Sequence, residues 1–196
     1  KMKNRIILLL SVILTTMISC RTQSVKEVDI CIYGGTSAGV IAAYTAQQSG
    51  KSVLLIEPGR HLGGMSSGGL GFTDIGNKYV VQGLALDFYR RLGTHYGKLE
   101  QWIFEPSVAE TIFKDYIKRA GIEVWYENRL SDVEKQRNSI TTITLEDSKH
   151  PNHTTNRKVR AKVFIDCSYE GDLMAKSGVS YIVGREANSQ YGETYN

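Results

Sequence analysis

VDICIYGGTSAGVIAAYTAQQSGKSVLLIE, residues Val28 to Glu57, decides how the rest of the chain is read. Val28, Ile30 and Ile32 lie in a short apolar run with a β-branched bias, which suits a strand buried on both faces. Gly34, Gly35 and Gly39 break that run, and a helical stretch begins at about Ala38. Its small and apolar positions (Val40, Ile41, Ala43, Tyr44, Ala46) lead to Gly50, a helix terminator. Ser52 to Ile56 is a second apolar strand. So little chain joins the two strands that only one crossover helix fits, which predicts parallel neighbours in a right-handed βαβ unit.

The turn points to a dinucleotide. A helix N-terminus exposes unpaired N–H groups and a partial positive charge, so a pyrophosphate is stabilised there, at roughly 0.3–2 kcal/mol per charge–dipole contact. Glycine tightens the turn and lets backbone approach phosphate with no Cβ in the way. On this reading a side chain at Gly39 would occupy the pyrophosphate position. Glu57 closes the second strand roughly 20 residues on, where such folds place a carboxylate to accept from ribose hydroxyls. Aligned to G-x-G-x-x-G, the chain supplies Gly34, Thr36 and Gly39. The Cβ of Thr36 either pushes the pyrophosphate away slightly or brings a hydroxyl that replaces the lost contact. Three glycines alone would also fit a βαβ unit with a merely tight turn. Strand, helix, strand and terminal acid together favour the nucleotide.

Before this unit, Met2 to Cys20 has a secretion signal's layout: a basic start, an apolar core from Ile6 to Ile18, then a small residue before cysteine. The core is short for a permanent span, which needs roughly 17–25 residues. Met17-Ile18-Ser19-Cys20 resembles a bacterial lipobox, which implies lipidation of Cys20, a membrane anchor, and a place at the cell envelope; a plain signal peptide is the alternative. Lys1, ahead of the apparent initiator Met2, has no explanation. The expected layout is a signal peptide at 1–19 and a lipidated tether at 20–27. Removing Lys1, Lys3 and Arg5 from the formal net charge of +4 leaves +1, which makes no case for nucleic acid. Three cysteines make no disulfide framework. With Cys20 lipidated, Cys31 and Cys167 are expected as buried free thiols, a bridge between them being the alternative.

After Glu57 the chain reads PGRHLGGMSSGGLGFTDIGNK, dense in glycine and without apolar periodicity. Tyr33 to Gly39 followed by Glu57-Pro58-Gly59-Arg60-His61-Leu62-Gly63-Gly64-Met65 resembles the FAD-dependent oxidoreductase family of the glutathione-reductase-like fold, in particular a bacterial secreted branch with some members labelled xanthan lyase-like. The likeness runs from Val28 nearly to Asn196. It implies FAD as cofactor and hydride transfer from a small-molecule substrate. It places Gly34, Thr36, Ser37, Ala38 and Gly39 at the pyrophosphate and Glu57 at the adenosine ribose. Gly63, Gly64, Met65 and Ser66 would pass the ribityl chain and flavin. An NAD-binding protein with the same crevice and a non-catalytic anchored interaction module are the alternatives. No catalytic acid or base is identified: His61 has no evident partner and is expected at the surface or facing phosphate.

The remaining chain predicts an α/β fold, a Rossmann-like, mostly parallel sheet with an inserted β-meander. Val81 to Tyr96 has helical apolar spacing at Leu84, Phe88 and Leu92, within an expected helical insertion at about 76–106. His95 and Trp102 follow it as structural residues or lining of a substrate cavity. Ser107 and Glu110 fit a capping box ahead of a helix that ends at Gly121. Ile122 to Tyr126 is a strand. Three further strands, Leu130–Lys135, Ile140–Leu145 and Val159–Ile165, form the meander at about 129–165. His150 and His153 lie in the polar run between the last two and, lacking a third ligand, predict no metal site. Val163-Phe164-Ile165-Asp166-Cys167-Ser168-Tyr169-Glu170-Gly171-Asp172 resembles the family's I-D-A-T-G-D-G-D segment. That implies Ser168 on the cofactor side and puts backbone contact at Tyr169, where a glycine is common, in doubt. The FAD-binding domain is expected over 28–172. Residues 173–196 should begin a following region of a longer enzyme, with an exposed apolar seam and an inactive fragment.

Overall fold

The computed structural model describes residues 25–151 and 156–194; the leader, Cys20 and His153 fall outside them. Strand β1 (Lys26–Tyr33) leads through the glycine turn into helix α1 (Ser37–Gln48) and strand β2 (Val53–Glu57). A one-turn helix α2 (Met65–Gly68) precedes α3 (Gly83–His95) and α4 (Pro106–Ala120). Strands β3 (Glu123–Tyr126), β4 (Asn128–Gln136), β5 (Ser139–Asp147) and β6 (Arg157–Asp166) follow, and then the short helix α5 (Asp172–Lys176). The six strands lie in the order β3-β2-β1-β6-β5-β4. The first four run parallel, while β5 is antiparallel to both β4 and β6. This is the mixed α/β, mostly parallel Rossmann-type sheet that the opening unit predicts.

Side chains that alternate along β1 and β2 divide the core. Ile32, Val53 and Leu55 face one side and pack with Val40 and Ala43 of α1, Phe88 and Leu92 of α3, and Ile112, Phe113 and Tyr116 of α4. Cys31, Tyr33, Leu54 and Ile56 face the other side and pack with Leu130, Ile143, Leu145 and Val159 of the meander. The meander therefore covers the sheet face that the helices leave open. Tyr33 pins it: its fully buried hydroxyl accepts from the Leu130 amide at 3.2 Å, beside a register shift in the β4–β5 pairing.

Helix ends follow local chemistry. Thr36 caps α1, its hydroxyl accepting from the Gly39 amide at 3.3 Å. Gly121 ends α4 in the left-handed region at φ 65°. The capping box at Ser107 and Glu110 does not form. Pro106, with φ fixed and no N–H to lose, already occupies the first turn, and Glu105 is the cap residue. Ser107 thus lies inside the helix, and Glu110 turns outward to Lys114 at 2.8 Å and His61 at 3.0 Å.

Among the described residues no helix is long and apolar enough to cross a membrane. Large apolar side chains are exposed at Leu70, Phe72, Tyr79 and Val80, and again at Tyr181, Ile182 and Val183.

Candidate nucleotide site

Strand β1 has parallel neighbours on both sides, so the chain leaves its C-terminal end at a point where the connections diverge, the place where open α/β sheets open a crevice. Three strand ends meet there: Tyr33, Glu57 and Asp166. Gly34, at φ 100°, donates its amide to the Ile56 carbonyl at 2.8 Å. The Gly35 amide donates to Glu57 Oε2 at 2.7 Å, and the Gly59 amide to Oε1 at 2.5 Å. Both carboxylate oxygens thus hold backbone while keeping further lone pairs to accept hydroxyls.

The Thr36 hydroxyl has two duties. Besides capping α1, it donates to the Cys167 carbonyl at 2.8 Å, tying the turn to the end of β6. Threonine at the middle glycine position is therefore a fastening between two loops. Its hydroxyl is engaged within the protein rather than held out toward a phosphate.

The outer glycines answer to the protein's own backbone. A Cβ on Gly39 would lie 1.9 Å from the Gly34 carbonyl oxygen, and one on Gly34 would lie 2.6 Å from the Ser168 nitrogen. The expectation that a Gly39 side chain would sit in the pyrophosphate position is corrected accordingly: it would meet the turn first. Ser37 and Ala38 remain, half-buried and exposed respectively. As the first two residues of α1 they have no carbonyl four residues back within the helix, so their amides are free to meet an anion.

The glycine-rich segment lies against this turn. The Gly63 amide donates to the Gly35 carbonyl at 2.8 Å, and Thr36 and Gly63 form a parallel bridge. Gly63 and Gly64 both have positive φ, at 105° and 57°. Met65 is exposed and Ser66 half-buried. The segment expected along the cofactor thus starts beside the glycine turn, and the fold brings Gly34, Thr36, Ser37, Ala38, Gly39, Glu57, Gly63, Gly64, Met65, Ser66 and Ser168 into one neighbourhood.

Ser168 is placed there by its backbone, while its hydroxyl is used in a turn. It donates to Asp166 Oδ1 at 2.7 Å and accepts from the Gly171 and Asp172 amides at 3.0 and 3.2 Å. Asp166 Oδ2 accepts from the Met174 amide at 2.9 Å, so one acid organises the whole β6–α5 connection. Asp166, the Cys167 carbonyl and the Gly35 amide carry no local sequence signal of these partnerships.

The remaining candidate side chains are paired, stacked or packed within the protein. His61 is exposed and pairs with Glu110. Burial works to raise the Glu110 carboxyl, but hydrogen bonds from Lys114 and His61 outweigh it and hold the group below the usual range. Trp102 stacks on Tyr89 at 3.9 Å between centroids, a packing role, and His95 meets Tyr96 edge-on. Cys31 and Cys167 are free thiols, Cys31 buried and Cys167 half-buried. Burial pushes the Cys31 thiol up to about 12 and raises that of Cys167 as well. Among the described residues no group of three or more His, Cys, Asp and Glu side chains is placed to hold a metal ion.

An open helix start, a tight glycine turn and a carboxylate at the end of the neighbouring strand fit a dinucleotide. Known proteins agree. The family model described as FAD dependent oxidoreductase matches residues 29–196. A thiamine thiazole synthase of Pyrococcus horikoshii is 25% identical over 156 residues, covering 76% of this chain and 60% of that one. The chain thus spans about 60% of the length of the curated relatives it matches. A flavoprotein/dehydrogenase from Cytophaga hutchinsonii superposes with a TM-score of 0.59 at 19% identity, over 82% of this chain and 44% of that one. L-proline dehydrogenase from P. horikoshii gives 0.59 at 13% identity, over 82% and 58%. The chain belongs to the FAD dependent oxidoreductase family, whose members are enzymes, and its cofactor is FAD.

Proposed function

We propose that this chain is the cofactor-binding part of an enzyme that oxidises a small organic substrate by hydride transfer. Bound FAD supplies the two-electron acceptor. The amides of Ser37 and Ala38, at the turn shaped by Gly34, Thr36 and Gly39, hold the pyrophosphate, and Glu57 accepts from the adenosine ribose. Gly63, Gly64, Met65 and Ser66 run beside the ribityl and flavin portions, with Ser168 at the facing loop. These groups bind and orient; none is assigned proton transfer.

One observation carries this reading: Gly35 donates its amide to Glu57 and accepts from the Gly63 amide, so one residue joins the turn, the end of β2 and the glycine-rich segment at the C-terminal ends of parallel strands. The test is the absorbance of purified protein after gel filtration, followed by chromatography of the released cofactor. Flavin bands and released FAD are expected. A nicotinamide nucleotide, or no cofactor after reconstitution with FAD, would sink the reading.

The Met17-Ile18-Ser19-Cys20 pattern supports a second element of the proposal, anchoring at the bacterial cell envelope through lipid on Cys20. Cys20→Ala should move the protein from the membrane fraction to the soluble one. Continued membrane association would mean a different anchor.

A further inference from the structure

Tyr169, in the β6–α5 connection, has no part in the site as described so far. Its ring is exposed, yet its hydroxyl accepts from the Met65 amide at 2.6 Å. The phenol reaches that amide by passing over Gly64. A Cβ on Gly64 would lie 2.1 Å from the Tyr169 oxygen and 3.2 Å from Thr36 Cα. Tyr169, Gly64 and the phosphate turn therefore meet at one point, from three segments distant in sequence.

The bond is also oddly placed for a stabilising contact. Met65 opens the one-turn helix α2, so its amide has no partner four residues back, and Met65 itself is exposed. Water would satisfy such an amide nearly as well, so the hydroxyl adds little to the folding balance. What it does fix is direction. Gly63 and Gly64 both take positive φ, and the phenol ties the residue after them to the end of β6.

We propose that Tyr169 is a positioning residue for FAD, its hydroxyl holding the Met65 amide, and with it the Gly63–Ser66 backbone, in register beside the cofactor. This rests on the FAD reading of the cleft and adds a residue to it. The tyrosine ring spans from the β6–α5 turn to Met65, a reach that serine or threonine lacks; phenylalanine keeps the ring and loses the bond.

The test compares FAD-loaded wild type with Tyr169→Phe. FAD release after dilution is followed by recovery of flavin fluorescence, and the visible-region circular dichroism of bound flavin reports its surroundings. The urea midpoint of the apoprotein separates positioning from folding. Tyr169→Phe should release FAD about 3- to 10-fold faster, the loss of one neutral hydrogen bond. It should also alter the visible circular dichroism and leave the apoprotein midpoint unchanged. Release and circular dichroism equal to wild type would overturn the proposal, as would faster release matched by an equally destabilised apoprotein. Wild type that retains no FAD would remove the cofactor reading itself, a distinguishable failure.

Discussion

The amide of Gly35 donates to the carboxylate of Glu57 at 2.7 Å across 22 residues of sequence, so the acid that ends β2 also shapes the turn that ends β1. A Cβ on Gly35 would lie 2.7 Å from both Glu57 Oε2 and Leu62 Cδ2, so a side chain there would have to displace one or both. A group read from sequence as a ribose ligand thus braces the glycine turn.

Glu57→Ala should weaken FAD binding by about 1–3 kcal/mol, the range for losing hydrogen bonds to a charged group. Titration of the apoprotein with FAD, followed by flavin fluorescence, measures it. Glu57→Gln keeps one carbonyl acceptor and should fall between alanine and wild type. Full affinity in the alanine variant would exclude Glu57 from the site.

Gly39→Ala should destabilise the apoprotein itself by about 1–3 kcal/mol, because the new methyl group meets the Gly34 carbonyl before it meets any ligand. Urea unfolding without cofactor isolates this effect. A variant with wild-type stability and weakened FAD binding would return the residue to the phosphate role.

Tyr33→Phe should cost about 1–3 kcal/mol at neutral pH, since the Leu130 amide loses a buried acceptor. Burial pushes the Tyr33 phenol up to about 12, as it does the Cys31 thiol. Both groups are held protonated in the fold and ionise earlier in the unfolded chain. Wild-type stability is therefore complete below their ordinary values of 10 and 9, and declines as pH rises toward 12. The phenylalanine variant should lose less than wild type between pH 10 and 12. Urea midpoints across that interval give the comparison.

Asp87 contributes on the acid side in the same way with the opposite sign. Burial works to raise its carboxyl, but hydrogen bonds from Tyr116 at 2.5 Å and Arg91 at 2.6 Å hold it below its ordinary 3.8. Its contribution is present above that value and is lost as pH falls through the lowered one. The side chain is partly open to solvent, so the effect is modest. Asp87→Asn should lower stability at pH 7 and flatten the decline below about pH 4, read from thermal unfolding. An unchanged acid slope would remove Asp87 from that response.

Much of the fold lies in local patterns. The apolar runs of β1 and β2, helical spacing at Leu84, Phe88 and Leu92, and the left-handed stops at Gly50 and Gly121 are visible because each depends on residues within one or two turns. Ser107 and Glu110 show how such a pattern misleads: the motif is complete, but Pro106 sets the helix start, and Glu110 finds Lys114 and His61 instead. The meander strands are equally legible, whereas their packing over Tyr33 and Ile56 is not, because alternation says which face is buried and not what covers it.

The sequence by itself determined a glycine turn between two parallel strands, the acid that follows it, and so the class of cofactor. Tertiary structure decided which atoms do the holding: the Thr36 hydroxyl on the Cys167 carbonyl, 131 residues away, and the Tyr169 hydroxyl on the Met65 amide, 104 away. Periodicity records how much of a residue is hidden from water. Hydrogen bonds between loops depend on where whole strands end in space, and that is fixed only once the sheet has assembled.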